Sequence, residues 1–257
     1  MSSLTNYYYR LAGKARTGSE LLLAAIKNPP ALWHRSRYIF VVSHMRSFSS
    51  LLCHILGSHP EISGYAEMSQ DYHSRLDLAK LRLKVSASLD NTLTGNFALD
   101  KILHDRWFID DAILRRPDIY LILLIRKPED TLRSIIGIKP KTTAESASDY
   151  YVRRMHTLQT YAERANHRVF LAAEKILDDP LESLELLRSF LGLASHLETD
   201  YSQFKLTGQR GYGDPSEFIK AGTIVTERHD YSAIQLPAEA LSRARYAYEE
   251  TLEKLAG

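Results

Sequence analysis

The sequence predicts an α/β fold, a three-layer α/β/α arrangement with a central parallel sheet. Four short apolar runs carry that prediction: Tyr38–Ser43, Phe97–Asp100, Tyr120–Ile125 and Val169–Ala172. Each is rich in β-branched or aromatic residues and is followed by a helical pattern. Their hydrophobicity is continuous and not alternating, as in strands buried on both faces. A length of 257 residues, with 44% hydrophobic and 25% charged, is enough for a sizeable core in an ordinary globular chain.

The elements follow in order. Residues 4–27 read as an amphipathic leader helix within an N-terminal piece, 1–35, that packs on the domain. The first strand, Tyr38–Ser43, runs into the polar loop 43–50 and then the apolar helix Leu51–Leu56. After Tyr120–Ile125, Pro128 opens a helix to about Ile136, with Glu129 and Asp130 in its first turn. Residues 144–164 place Tyr151, Met155, Leu158 and Ala162 on one stripe. Asp179-Pro180 starts a further helix and Gly192 is placed to end it. The last helix, within 233–257, aligns Leu241, Ala244, Tyr248, Leu252 and Leu255. Residues 205–232, with Gly208, Gly211, Gly213, Pro215 and Gly222, read as a long functional loop. No repeat or linker interrupts the chain, so one domain over 1–257 is expected, its core at 36–232.

Composition narrows the function. Lys+Arg 33 against Asp+Glu 31 leaves a net charge of +2, so no nucleic-acid partner is expected. The lone Cys53 excludes an intramolecular disulfide and any multi-cysteine metal site, and a cytoplasmic location is expected. No run approaches the roughly 18 apolar residues of a membrane helix, so no membrane partner is expected. Arginine outnumbers lysine, 21 to 12, and arginine is the side chain for gripping oxyanions.

Two places are built for anions. Strand, short polar loop and helix N-terminus aim backbone N–H groups at one point, where Arg46, Ser47, Ser49 and Ser50 add charge and hydroxyls. Arg126 ends the third apolar run and Ser134 lies eight residues on, two turns along the next helix, as a second clamp. Two anion sites at neighbouring strand ends suit a nucleotide with phosphates at both ends of its ribose.

On these residues the chain resembles the sulfotransferases that use 3′-phosphoadenosine 5′-phosphosulfate (PAPS), over about residues 36–225. Met45-Arg46-Ser47-Phe48-Ser49-Ser50 is similar to the family's Pro-Arg/Lys-Ser-Gly-Ser/Thr-Ser/Thr loop for the 5′-phosphosulfate. The segment LLCHILGSHPEISGYAE resembles the helix, turn and Gly-x-x-Glu that place Glu67. Arg126 and Ser134 match the 3′-phosphate motif, and Ala173–Leu193 resembles a later family segment. Phe48 stands where the family has glycine, Met45 where it often has proline, and Ala173 where a tyrosine is usual. A bulky Phe48 is expected to hinder close backbone approach to phosphate or to restrict the loop's dihedral angles.

The resemblance implies a P-loop-NTPase-like architecture and sulfuryl transfer from PAPS to a hydroxyl, or an amine, of a small-molecule or carbohydrate acceptor. It implies Glu67 as general base, with His104 as the competing base, and Lys101 and Arg46 as the cations on the transferring group. The acceptor would sit between Glu67 and the segments 68–96 and 137–150. Arg210, Gly211 and Lys220 would close over the 3′-phosphate and adenine, and Tyr212 or Phe218 would stack on the base. His44 and His73 are further candidates; His54 and His59 read as packing or capping. No metal is expected. The alternatives are a PAPS-binding relative in which Phe48 has removed catalysis, and a phosphate-loop kinase or NTPase. The latter would need G-x4-G-K-[ST], and this loop has neither the glycines nor the lysine.

Overall fold

A computed structural model describes residues 36–89, 95–208 and 217–256, with Ala25, Ile26, Pro29 and Leu93. The expected leader helix therefore lies outside the described residues except at Ala25 and Ile26. Five parallel strands form one sheet: β1 (Arg37–Ser43), β2 (Ile62–Ser63), β3 (Phe97–Ile102), β4 (Ile119–Ile125) and β5 (Arg168–Ala172). Their spatial order is β2-β3-β1-β4-β5. The chain leaves β1 towards β3 on one side and returns to β4 on the other. The crevice at the C-terminal end of β1 is thus the switch point where ligands of open α/β sheets bind.

The strand sequences explain the layers. Tyr38, Phe40 and Val42 of β1 join one core cluster, with Tyr151, Met155 and Leu158 of α5 (Ala144–Arg164). Ile39 and Val41 join the other, with Leu52, Ile55 and Leu56 of α1 (Ser49–Ser58). Successive residues point to opposite faces and both faces are covered, so the run must be apolar throughout. The first layer also holds α2 (Arg75–Ser88), α3 (Asp111–Leu114), α4 (Pro128–Ile138) and α8 (Ala238–Ala256). The second holds α6 (Lys175–Asp178) and α7 (Pro180–Leu191). The expected ends of α7 are present: the Asp179 side chain accepts from Glu182 N, and Gly192 takes the left-handed conformation at φ 64°.

Three local expectations change. β3 runs two residues beyond Asp100, because Asp100 and Lys101 are buried with partners. Residues 68–96 contain α2, opened by a capping box between Ser74 and Asp77. The stretch 205–232 is not wholly irregular: Glu217–Lys220 is a 3₁₀ turn, and Thr223 bridges back to Asp200.

α5 fixes the strand ends. Arg154 lies on the same stripe as Tyr151 and Leu158 and is fully buried. Its Nε and NH2 donate to Ser43 O at 3.0 and 2.8 Å, and NH2 also donates to Ile102 O at 3.1 Å. NH1 pairs with Asp105 Oδ1 at 2.7 Å. Ser43 and Ile102 are the last residues of β1 and β3. The neighbouring Tyr150 hydroxyl donates to Leu103 O at 2.7 Å and accepts from Met45 N at 2.8 Å. Tyr151 Oη donates to Arg126 O, just past β4, at 2.8 Å.

Arg154→Met keeps the apolar stem and removes every one of the guanidinium bonds, taking the donors from two strand-end carbonyls and leaving Asp105 with Thr157 and Arg153 alone. It is expected to lower unfolding free energy by about 3–5 kcal/mol, the usual penalty for breaking a buried charged network. Equilibrium denaturation measures this, and a loss below about 1 kcal/mol would show the clamp to be dispensable.

Candidate active site

A cleft of about 760 Å³ opens over the C-terminal ends of β1, β3 and β4. The expected loop lies on one wall, with Arg46, Ser47, Phe48, Ser49 and Ser50 lining it. Glu67, Lys101, His104, Arg126 and Ser134 line the same cavity. Lys220 does not: it is paired with Glu217 at 2.8 Å, although its neighbours Phe218 and Ile219 face the cleft. Arg210, Gly211 and Tyr212 lie outside the described residues.

The loop is braced from inside. Ser47 Oγ donates to His44 O at 2.8 Å, and Ser43 Oγ is hydrogen-bonded to Ser47 Oγ and Leu124 O. The Ser47 hydroxyl is therefore turned into the loop's own framework. His44 sits beneath, fully buried, with Nδ1 2.9 Å from Met45 O and Nε2 accepting from Arg126 N at 3.0 Å. A carbonyl only accepts and an N–H only donates, so the proton sits on Nδ1. Burial pushes the His44 pKa down to about 3. With both nitrogens committed, His44 joins β1 to β4 and is not a catalytic group.

Phe48 holds the loop in a backbone conformation that side chains rarely adopt. It caps α1 at φ 60°, ψ 16°, the left-handed conformation that glycine takes without penalty. Its ring lies against two guanidiniums, 4.4 Å from Arg126 Cζ and 5.7 Å from Arg228 Cζ. The left-handed backbone costs about 1–2 kcal/mol. Two cation–π contacts of about 0.5–2 kcal/mol offset it.

Arg126 is the buried arginine of the cleft. It is buried, donates NH1 to Arg46 O at 3.1 Å and approaches Asp130 with NH2 at 3.5 Å. Its Nε is buried without a hydrogen-bond partner. Burial lowers its pKa, with Asp130 and Glu174 opposing. Ser134, on the facing turn of α4, accepts from Arg46 Nε at 2.9 Å. The two anion-binding elements are thus one continuous group, joined by Arg46.

The other wall carries the acid–base candidates. Asp100 and Lys101 are consecutive in β3 and point to opposite faces. Lys101 is buried and its Nζ donates to Ser50 Oγ at 3.1 Å. Asp100 Oδ1 accepts from Met68 N and from Lys101 N, each at 2.7 Å, and Oδ2 accepts from Tyr72 Oη. Burial raises the Asp100 pKa to about 6. Its bond to Met68 N pins the backbone beside Glu67. Burial raises the Glu67 pKa, while the charges of Lys101, Arg106 and Arg154 pull it back. Glu67 Oε1 is buried without a partner. His104 moves the other way, to about 4, from burial and the charges of Arg106, Arg154 and Lys139. It is neutral at pH 7 but a weak base, because efficiency follows pKa. His73 stands outside the cleft, paired with Asp110 at 3.1 Å. His54 packs among Tyr65, Tyr201 and Phe204, as its place in the apolar helix suggested.

The geometry adds groups that the sequence did not single out. Arg133, Arg228 and Tyr231 line the cleft. The segment carrying the last two is held down on α4 by Arg133 Nε, which donates to Ile234 O at 3.2 Å. Gly137 makes room there, since a Cβ at this position would collide with the Tyr231 ring.

The arrangement has counterparts among solved structures. The sulfotransferase domain from the curacin biosynthetic pathway aligns with a TM-score of 0.57 at 16% identity, over 84% of this chain and 97% of that one. The sulfotransferase domain from the Synechococcus PCC 7002 olefin synthase gives 0.57 at 18%, over 85% and 95%. The chain has the sulfotransferase fold. No family model matches the sequence, and no curated protein matches it. In this sulfotransferase fold, among the described residues, no helix is long and apolar enough to cross a membrane. Nor do three or more His, Cys, Asp or Glu side chains there converge to hold a metal ion.

Two measurements test the site's construction. Phe48→Ala keeps the left-handed penalty and loses the ring, whereas Phe48→Gly loses the ring but relieves the backbone. Phe48→Ala is expected to be the less stable by about 1 kcal/mol in denaturant unfolding; the reverse order would contradict the backbone penalty. For Asp100, the folded pKa lies above the ordinary 3.8, so the folded state binds the extra proton. The stability from this site is fully present below about pH 4 and is lost as pH rises through about 6. The difference amounts to up to about 3 kcal/mol. Asp100→Asn should flatten that part of the stability–pH curve, and an unchanged slope would refute the assignment.

Proposed function

We propose that the protein is a sulfotransferase that takes a sulfuryl group from PAPS and passes it to a hydroxyl of a small-molecule or carbohydrate acceptor. The observation that carries this is the buried Arg126, its Nε unpartnered, beside the Arg46–Ser134 pair and the N-terminus of α1. A buried guanidinium with a free donor in a cleft is a site for an anion. An acceptor there would satisfy an atom that is otherwise costly to bury.

The residues fit the nucleotide. Arg126 and Ser134 would hold its 3′-phosphate end, with Arg46 between them and the 5′ end. The first turn of α1, with Ser49, Ser50 and Lys101, would face the 5′-phosphosulfate. PAPS supplies an activated sulfuryl group with a stable bisphosphate as leaving group. Glu67 takes the acceptor's proton on its unpartnered Oε1, and its raised pKa makes it a stronger base than an ordinary carboxylate. Lys101 and Arg46 offset the negative charge that accumulates between donor and acceptor, at no reorganisation cost because both are already held. The fold shared with two sulfotransferase domains supports the reading.

Binding separates this from ATP chemistry. At about 100 times its Kd, 3′-phosphoadenosine 5′-phosphate should add about 2.7 kcal/mol of stability, a Tm rise of roughly 5–10 °C, with ATP well below it. A larger shift with ATP would overturn the donor assignment. Arg126→Ala should weaken bisphosphate binding by about 10- to 150-fold, the worth of a charge-assisted hydrogen bond. Glu67→Gln should lower kcat by roughly 10²–10⁴ while leaving that binding nearly intact. In the unmodified protein the rate should fall with acid, along a limb centred above the ordinary carboxylate pKa, because Glu67 must be ionised. Glu67→Gln should remove that limb; its survival would assign the base elsewhere.

A further inference from the structure

We infer that the acceptor is itself an acid: besides the hydroxyl that receives the sulfuryl group, it carries a separate carboxylate or phosphate that Arg106 and Lys139 hold. This rests on the sulfotransferase reading above and adds the acceptor's chemical class to it.

The cleft has two electrostatic neighbourhoods. Around Arg126 lie Arg46 and Arg228, offset by Asp130 and Glu174, and Arg228 is itself paired with Asp178 at 2.8 Å. Around the base lie Glu67, His104, Lys101, Arg106 and Lys139. At this second end the carboxylates are committed. Glu67 faces Lys101, and Asp105 is held by Arg154 at 2.7 Å and by Thr157 at 3.1 Å.

Arg106 and Lys139 both line the cleft; among the described residues no hydrogen bond or ion pair to a carboxylate holds either, and Arg106 acts on Glu67 only through its field. Each is steadied by an apolar group instead. The Arg106 guanidinium lies 5.1 Å from the Trp107 ring centroid, and Lys139 Nζ is 3.3 Å from Met45 Sδ. They approach from different elements, Arg106 after β3 and Lys139 at the end of α4, and Leu103, Met45 and Ile138 line the same cleft. Both act on His104, so both stand near the place where an acceptor must present its hydroxyl to Glu67. Two exposed cations that no ion pair ties down, beside one apolar wall, suit a ligand with an apolar or sugar body and an anionic end.

The test uses the full chain saturated with 3′-phosphoadenosine 5′-phosphate, so that only the acceptor end is open. Paired probes share a body and differ in the anionic group: 4-hydroxyphenylacetate against 4-hydroxyphenylacetamide, and glucose 6-phosphate against glucose. Calorimetric titration should show at least one anionic probe binding about tenfold or more tighter than its neutral partner. That preference should shrink as salt rises. The Arg106→Gln/Lys139→Gln double variant, altered at two exposed positions, should lose the preference and keep bisphosphate affinity within about twofold.

Equal affinity within both pairs, a preference that survives in the double variant, or no binding of either anionic probe up to roughly 10 mM overturns the inference. Bisphosphate binding with no preference for acid defeats this inference alone. Failure of the bisphosphate to bind defeats the donor assignment and this inference with it.

Discussion

The buried guanidinium of Arg154 is the constraint on which the rest of the cleft depends. It takes the terminal carbonyls of β1 and β3 at once and holds Asp105 on its remaining edge. Those carbonyls have run out of sheet partners, and a buried carbonyl without a donor is expensive. One planar group with five donors can satisfy several in a fixed geometry, which a lysine at this place would not reproduce. Both walls of the cleft start within a few residues of these bonds: the loop 43–50 begins at Ser43, and His104 follows Ile102. Tyr150 and Tyr151 extend the clamp to Met45, Leu103 and Arg126. Spacing between the anion site and the acid–base residues is thus set by one helix, and the loops only decorate it.

Burial acts on the two candidate bases in opposite senses, and this separates them. A carboxyl removed from water holds its proton more tightly, while an imidazole lets it go. Glu67 therefore gains basicity where His104 loses it, in the same cleft and near the same arginines. The surrounding cations oppose the shift at Glu67, so its carboxylate stays accessible, but they add to the shift at His104. One electrostatic environment makes the acid the better proton acceptor and leaves the histidine a neutral wall.

Much of this was legible in the sequence. Runs such as Tyr38–Ser43 and Tyr120–Ile125 announce doubly buried strands because no position can be polar when both faces are covered. The Arg126 and Ser134 spacing survives folding because a strand end and two helical turns are rigid. What escaped was non-local. Arg154 reads as a polar interruption of an apolar stripe until the carbonyls it serves, 111 and 52 residues away, are known. α2 offers Leu76 to solvent and buries Arg82, so its pattern blurs the helical face. The cleft positions of Arg228 and Tyr231 depend on where an irregular segment lands, which no periodicity encodes. The loop's tolerance of Phe48 depends likewise on two arginines from distant parts of the chain.

The opposed placement of Asp100 and Lys101 also bears on how the sheet finds its alignment. β3 is nearly apolar, and such strands have little in their side chains to distinguish one pairing from the next. Here a slip of a single residue against β1 would turn the carboxylate towards α1 and the ammonium towards Tyr72. The correct alignment supplies partners to both charges, whereas the slipped one strands both in the interior. The pair thus works as a proofreading mark on the strand, and two charges at the edge of the cleft also reject misassembled sheets.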